Sequence, residues 1–274
     1  MNGALDQKYL QILTDRIQVC KAYKPKFGLG GEGVSLEAFR VLYSADPFYA
    51  WFGLDNPLVY AAHRAAGGIT SVYRQIGIGG EELLRQLLQD HLGLTAEQSS
   101  WSYETTTSSG LTRTLKLDGR IEPANVTDPE RRRIIELWMQ KATRKLQLEG
   151  RVAQAMQGIV MEVRQGYKSK DSKRQNADMA NAAGAYTKGY LPVLVVLSTQ
   201  IDSDIAERYE RGKWLVLRGT VAGEDTFSTY TFVREVIGYD LAAFFQRNSE
   251  RLRRFTEEVL ESLLRADDDE QTRR

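Results

Sequence analysis

GIVMEVRQGYKSKDSKRQNAD, residues 158–178, opens with Ile159, Val160, Met161 and Val163, an apolar and partly β-branched run that predicts a buried strand. One carboxylate, Glu162, is set into that run, and a lone acid in a strand interior is costly unless something compensates it. Arg164, Lys168, Lys170, Lys173 and Arg174 follow, with Asp171 the one acid among them before an alanine-rich segment that should be helical. A buried acid beside a cationic loop suits a metal ion that must meet a polyanion. The acid would hold the cation and the basic residues the phosphates.

Working outward, the run at 191–198, LPVLVVLS, is apolar on both faces, as a central strand of a sheet would be. Asp202 or Ser203 then caps a helix that Gly212 stops, and residues 213–219 give another strand. Strand, helix, strand, helix, strand from 158 to 219 predicts an α/β or α+β fold with a mixed central sheet flanked by helices. Residues 226–265 read as helical with a break near Gly238, and 266–274 as a disordered tail.

Toward the N-terminus, Leu111, Leu115, Leu117 and Ile121 alternate with polar residues, a strand signature that Asp118 interrupts; Asp118-Gly119 also fits a hairpin turn. Asp128-Pro129 begins the next helix, with its arginines and lysines on a solvated face. Gly79 and Gly80 set the start of a helix at Glu81 that ends at Gly93, so Glu81 and Glu82 either complement the helix dipole or face a site. The aromatics Phe48, Tyr49, Trp51, Phe52 and Tyr60 read as core and turn packing. Residues 4–23 carry an amphipathic helical pattern, and residues 1–72 form a helical N-terminal portion. The glycines at 28, 30, 31 and 33 lack both a preceding strand and a following Lys-Ser/Thr, so they are read as a connection and not as a phosphate loop.

Composition removes several chemistries. A net charge of +1 requires any nucleic-acid affinity to come from local clusters, and the single Cys20 excludes an internal disulfide. His63 and His91 lack a nucleophile signature, and zinc would need Cys or His clusters. No leader or spanning segment is evident, so a soluble, cytoplasmic protein without membrane contact is expected. Carboxylate chemistry with a hard cation remains: Asp118 and Glu162 on neighbouring strands, joined by Glu81 or Glu82, could hold Mg²⁺ through oxygen.

The segments YRQIGIGGEELLRQ, LKLDGRIE and EVRQGYKSKDSKRQNAD together resemble the PD-(D/E)xK nuclease superfamily, in particular type II restriction endonucleases, and within that group the ApaLI-like enzymes. The resemblance spans roughly residues 73 to 200. It implies a restriction-endonuclease-like core, residues 73–265 with its C-terminal helices. It also implies Mg²⁺-dependent hydrolysis of double-stranded DNA at a short palindrome by a homodimer, beside a companion DNA methyltransferase. By this likeness Asp118 matches the first acid, Glu162 the second, and Glu81 or Glu82 the acid of an early helix. Two departures stand out: Leu117 precedes Asp118 where the pattern has Pro, and Arg164 stands where it has Lys. Arginine cannot readily give up its proton, so it would act as an electrostatic stabiliser. Lys168 shares the strand face of Glu162 but lies about 20 Å further along an extended chain, so it reaches the site only if the strand bends at Gly166. Lys170, Lys173, Arg174, Gln175, Asn176 and Arg113 are the expected DNA contacts, the side chains of 173–176 sitting at a helix start. A repair or recombination nuclease and a non-catalytic DNA-binding protein are the competing readings.

Overall fold

A computed structural model describes residues 2–28, 31, 33–106, 112–166 and 172–264. The chain divides into two compact units, Met1–Gly79 with Asn248–Arg274, and Gly80–Arg247.

In the first unit, α1 (Asn2–Gln18) buries Tyr9, Leu10, Leu13 and Ile17, the three-and-four spacing read from sequence. Helix α2 (Leu36–Ser44) starts on Ser35, whose hydroxyl accepts from the Ala38 amide, and α3 (Pro47–Trp51) starts on Asp46 with proline at its first position. The inner face of α2 closes a small core of Val34, Leu36, Phe39 and Tyr60. Contrary to the packing role expected for them, Phe48, Tyr49, Trp51 and Phe52 are exposed; only Tyr60 is buried.

Helix α4 runs unbroken for 36 residues, Pro57–Leu92, and the division between the units falls within it. The sequence reading started this helix at Glu81, because glycine normally weakens a helix interior. Here the glycines are spacers: Gly67 lies against the Tyr23 ring and Gly68 against Leu263, so a side chain at either position would collide with its neighbour. In the second unit Gly80 lies against Leu197 in the same way. Glu81 and Glu82 are therefore mid-helix and cannot complement an N-terminal dipole.

In the second unit β1 (Trp101–Thr106) pairs antiparallel with β2 (Thr112–Leu117), a two-stranded sheet of its own. The chain then changes sheet at Asp118. Strand β3 (Gly119–Ile121) pairs with a later strand and not with β2, so Asp118-Gly119 is no hairpin turn. Helix α5 (Pro129–Lys145) begins, as read, on the Asp128 cap, and α6 (Gly150–Gln154) follows. Strand β4 (Gly158–Arg164) is buried throughout, and β5 (Tyr190–Val196) lies parallel to it with Glu162 opposite Leu194. Helix α7 (Ser172–Thr187) joins these two strands, and α8 (Ser203–Arg211) leads from β5 to β6 (Leu215–Leu217).

The main sheet is mixed, in the order β3-β4-β5-β6 with β3 antiparallel, and is flanked by helices. Val160, Leu194, Val196 and Val216 on one face pack with Ala182 and Ala185 of α7 and Ile205 and Tyr209 of α8. Both crossover helices thus cover the same face, as right-handed crossovers do when successive strands, here β4, β5 and β6, step the same way across the sheet. After Ser228 the chain forms α9 (Thr229–Phe232), a π-turn over Val233–Ile237, and a break at Gly238, whose φ of 97° is readily adopted by glycine; α10 (Leu241–Leu264) follows. Among the described residues no helix is long and apolar enough to cross a membrane.

Gly158 begins β4 where the backbone of Ile121 and Glu122 comes closest. An added methyl would meet the Ile121 carbonyl oxygen and lie 3.2 Å from Glu122 Cα. Backbone cannot step aside as a flexible side chain can, so Gly158→Ala is expected to lower stability by roughly 1–3 kcal/mol. Urea denaturation reads this directly, and a loss within error of zero would contradict the contact.

Candidate active site

Alternation along β4 turns Glu162 and Arg164 to the face covered by α7 and α8, both nearly inaccessible at 7% and 8% exposure. Arg164 Nη2 is ion-paired with Glu162 and, at 3.2 Å, with Asp178 of α7. The Tyr209 hydroxyl, on α8, donates to Asp178 as well. Tyr209 and Asp178 are both buried, so the Arg164 guanidinium is shared between two carboxylates deep in the unit.

Asp118 reaches the same spot from the other side of β4. Its amide donates to the Met161 carbonyl at 2.8 Å, and its Oδ2 accepts from the Val163 amide at 2.8 Å. The side chain thus takes over the pairing where β3 bends away, which sets the carboxylate beside Glu162. Arg85 Nε of α4 donates to the Asp118 carbonyl at 3.1 Å and fixes the bend to the helix. Glu81, one helical turn before Arg85, adds its charge to the same field.

These neighbours set the ionisation of Glu162. Burial raises its pKa most, Asp118 adds to the rise, Arg164 opposes it, and Asp178 and Glu81 raise it further, to about 8. The carboxyl is therefore an acid that prefers to keep its proton near neutrality unless more positive charge arrives. Arg164 remains fully charged: burial works against its charge, but Glu162, Asp178 and Asp118 more than offset that and raise its pKa.

The residues expected at the site divide clearly. Asp118, Glu162, Arg164 and Glu81 come together. Glu82 is the next residue along α4, half-buried, but it is Glu81 whose charge acts on Glu162. Arg164 lies directly against Glu162; Lys168 and Lys170 fall outside the described residues. Lys173 and Arg174 belong to the first turn of α7, and Arg113 to β2, where it pairs with Thr105 in the ladder. Gln175 turns inward at 4% exposure, with its carbonyl oxygen taken by Arg208 Nη1 at 2.7 Å. It is thus committed within the protein in this state, unlike the base contact expected of it. Asn176 is exposed and accepts from Arg208 Nη2 at 2.6 Å.

Sequence reasoning missed Asp178, Tyr209 and Arg208. Asp178 closes the opening stretch and is an acid in an alanine-rich helix, a faint signal; Tyr209 and Arg208 carried none, because what defines them is the packing of α8 on α7. Among the described residues no three acidic, imidazole or thiol side chains form a cage for a metal ion. A cation at this place would rest on Asp118 and Glu162, with water or substrate oxygen completing its shell, as is common for Mg²⁺. The excess of carboxylates over the Arg164 guanidinium fits a hard cation, and so does the all-oxygen donor set.

Comparison with protein-family models, with curated proteins and with solved structures gives no match.

Proposed function

We propose that this chain is a metal-dependent nuclease acting on double-stranded DNA. The observation that carries the reading is the meeting of Asp118, on a strand bend, with Glu162 and Arg164 on the neighbouring strand, where the charge of Glu81 on α4 also acts on Glu162. A carboxyl whose pKa is raised by burial and by a neighbouring acid is the setting in which functional carboxyls are often found. Asp118 and Glu162 would hold Mg²⁺. Bound there, the ion would lower the pKa of an attacking water and neutralise charge developing on the phosphodiester.

The remaining chemistry belongs to the protein. Arg164 cannot serve as a base; fully charged and nearly dry, it would stabilise the extra negative charge of the five-coordinate phosphorus. Asp178 and Tyr209 hold it in position. Lys173, Arg174 and Asn176, at the start of α7, would meet the DNA backbone or base edges, together with Lys168 and Lys170. The likeness to type II restriction endonucleases extends the proposal to a homodimer cutting a short palindrome in the cytoplasm, with a companion methyltransferase protecting the host.

One observation favours the non-catalytic alternative: the Glu162 carboxyl already lies against the Arg164 guanidinium, as that of a purely structural acid would. Incubation of mixed-sequence duplex DNA with the protein and Mg²⁺ separates the readings. Discrete fragments that vanish with Asp118→Asn support the restriction enzyme. Smeared or branch-specific products that also need Asp118 point to a repair nuclease. DNA binding without cleavage sinks both enzyme readings.

A further inference from the structure

Arg208 of α8 takes no part in the network around Glu162, yet it grips the start of α7. Its guanidinium forks across two consecutive residues there: Nη1 donates to the side-chain oxygen of Gln175 at 2.7 Å and Nη2 to that of Asn176 at 2.6 Å. The next residue of α8, Tyr209, donates to Asp178 further along α7, and Asp178 in turn holds Arg164. Two successive side chains of α8 therefore fasten the beginning of α7, one of them to the candidate active site. Gln175 is buried, so one prong of the fork is anchored inside the unit, while Asn176 is exposed.

The fork decides which way the Asn176 amide faces. A guanidinium has donors and no acceptor, so each amide must turn its oxygen to Arg208 and its NH2 group away. An unconstrained asparagine pairs with adenine through both ends of the amide, the oxygen accepting from the N6 amino group while the NH2 donates to N7. With a charged donor already on its oxygen, Asn176 is a poor acceptor for a second one and offers its NH2 group instead. The complement of that group is a hydrogen-bond acceptor. The guanine edge carries two, O6 and N7, and every backbone phosphate carries them too. Asn176 also ends the most cationic run of the chain, Lys168 to Arg174, so its donor is offered where a polyanion would be drawn.

We propose that Arg208 is a positioning residue for DNA recognition, which holds Asn176 as a fixed hydrogen-bond donor to an acceptor on the duplex, a guanine edge or a phosphate oxygen. The inference rests on the reading of this chain as one that acts on DNA, but not on cleavage. Fixing the amide before DNA arrives removes part of the entropic cost of ordering it at an interface. Lysine would not replace Arg208, because a compact ammonium keeps the charge but cannot span two amides as the planar fork does.

The test is a double-mutant cycle on the full chain, with binding read by fluorescence anisotropy on a random-sequence duplex pool and on the duplex most enriched from it, in EDTA and again with Ca²⁺. Asn176→Ala and Arg208→Lys are each expected to weaken binding to the enriched duplex about tenfold, and the double variant no further, since both changes remove the same contact. A guanine preference that both variants lose assigns the acceptor to a base edge; an equal loss across the whole pool assigns it to phosphate. Either single variant binding as tightly as wild type, or a double variant about 100-fold weaker, as independent contacts would give, overturns the proposal and leaves the DNA reading standing. A wild type that binds no duplex in either condition overturns both. Arg208 and Asn176 are exposed, so neither change removes core packing.

Discussion

Glu162→Gln is expected to reduce Mg²⁺-dependent cleavage of duplex DNA by about 1,000-fold or more while making the protein more stable at alkaline pH. The first effect follows from removing one of two carboxylates that would hold the cation, whose charge stabilisation is worth several kcal/mol; each ~1.4 kcal/mol is tenfold in rate. The second follows from ionisation. The folded-state pKa of Glu162, about 8, lies above that of the unfolded chain, so the folded form carries a proton that the unfolded form has released. Its contribution is fully present below the unfolded value and is lost as pH rises toward about 8, at up to about 1.4 kcal/mol per pH unit. Glutamine has no proton to lose, so the difference in stability between variant and wild type should widen across that window and then level off. Thermal melts at several pH values read the slope and a gel assay reads cleavage. A variant that melts in parallel with wild type at every pH would show that Glu162 titrates normally, and one that still cleaves would remove it from the chemistry.

Arg164→Met is expected to cost about 3–5 kcal/mol of stability and to abolish cleavage. The guanidinium is the shared partner of Glu162 and Asp178, and both carboxylates are buried. Deleting one member of such a group leaves uncompensated charge in a medium that solvates it poorly, which is far worse than never having placed the charges there. Glu162 can escape by keeping its proton. Asp178 retains the Tyr209 hydroxyl, so the cost stays below the full solvation energy of two ions. Arg164→Lys should fall between the two, because a compact ammonium keeps the charge but cannot span two carboxylates as a planar guanidinium does. Chemical denaturation supplies the numbers, and a loss under about 1 kcal/mol for Arg164→Met would mean the network contributes little.

What the sequence made legible, and what it hid, follows from the range of the interactions. Strands β4 and β5 were readable because parallel strands buried on both faces are continuous apolar runs. The Asp128 cap and the Gly238 break were readable because each acts within a few residues. The pairing of Asp118 with Glu162 could be anticipated from two acids that each disturb a strand pattern. The continuity of α4 could not, since Gly67, Gly68 and Gly80 are explained only by Tyr23, Leu263 and Leu197, residues distant in the chain. Asp178 escaped notice for the same reason: its meaning lies in Arg164 and Tyr209, one on a strand and one on another helix. Nor could sequence reveal that Gln175 points inward, because a polar residue at a helix start next to lysines has the composition of a contact surface until α8 is packed against it.

The two outer strands of the main sheet, β3 and β6, are only three residues long each. A sheet recruits foreign chains through rows of unpaired backbone groups, and a three-residue border offers little more than one or two such rungs. Beyond β3 the Arg120 amide is already spent on the Ser99 carbonyl, and beyond β6 the Arg218 amide on the Phe227 carbonyl. The main sheet is thus poorly suited to seed fibrils or to accept an invading strand, even though β4 and β5, once exposed, are among the most aggregation-prone kinds of sequence. In the folded state the protection therefore rests on those short, occupied borders, and β4 and β5 are offered to another chain only when the sheet itself opens.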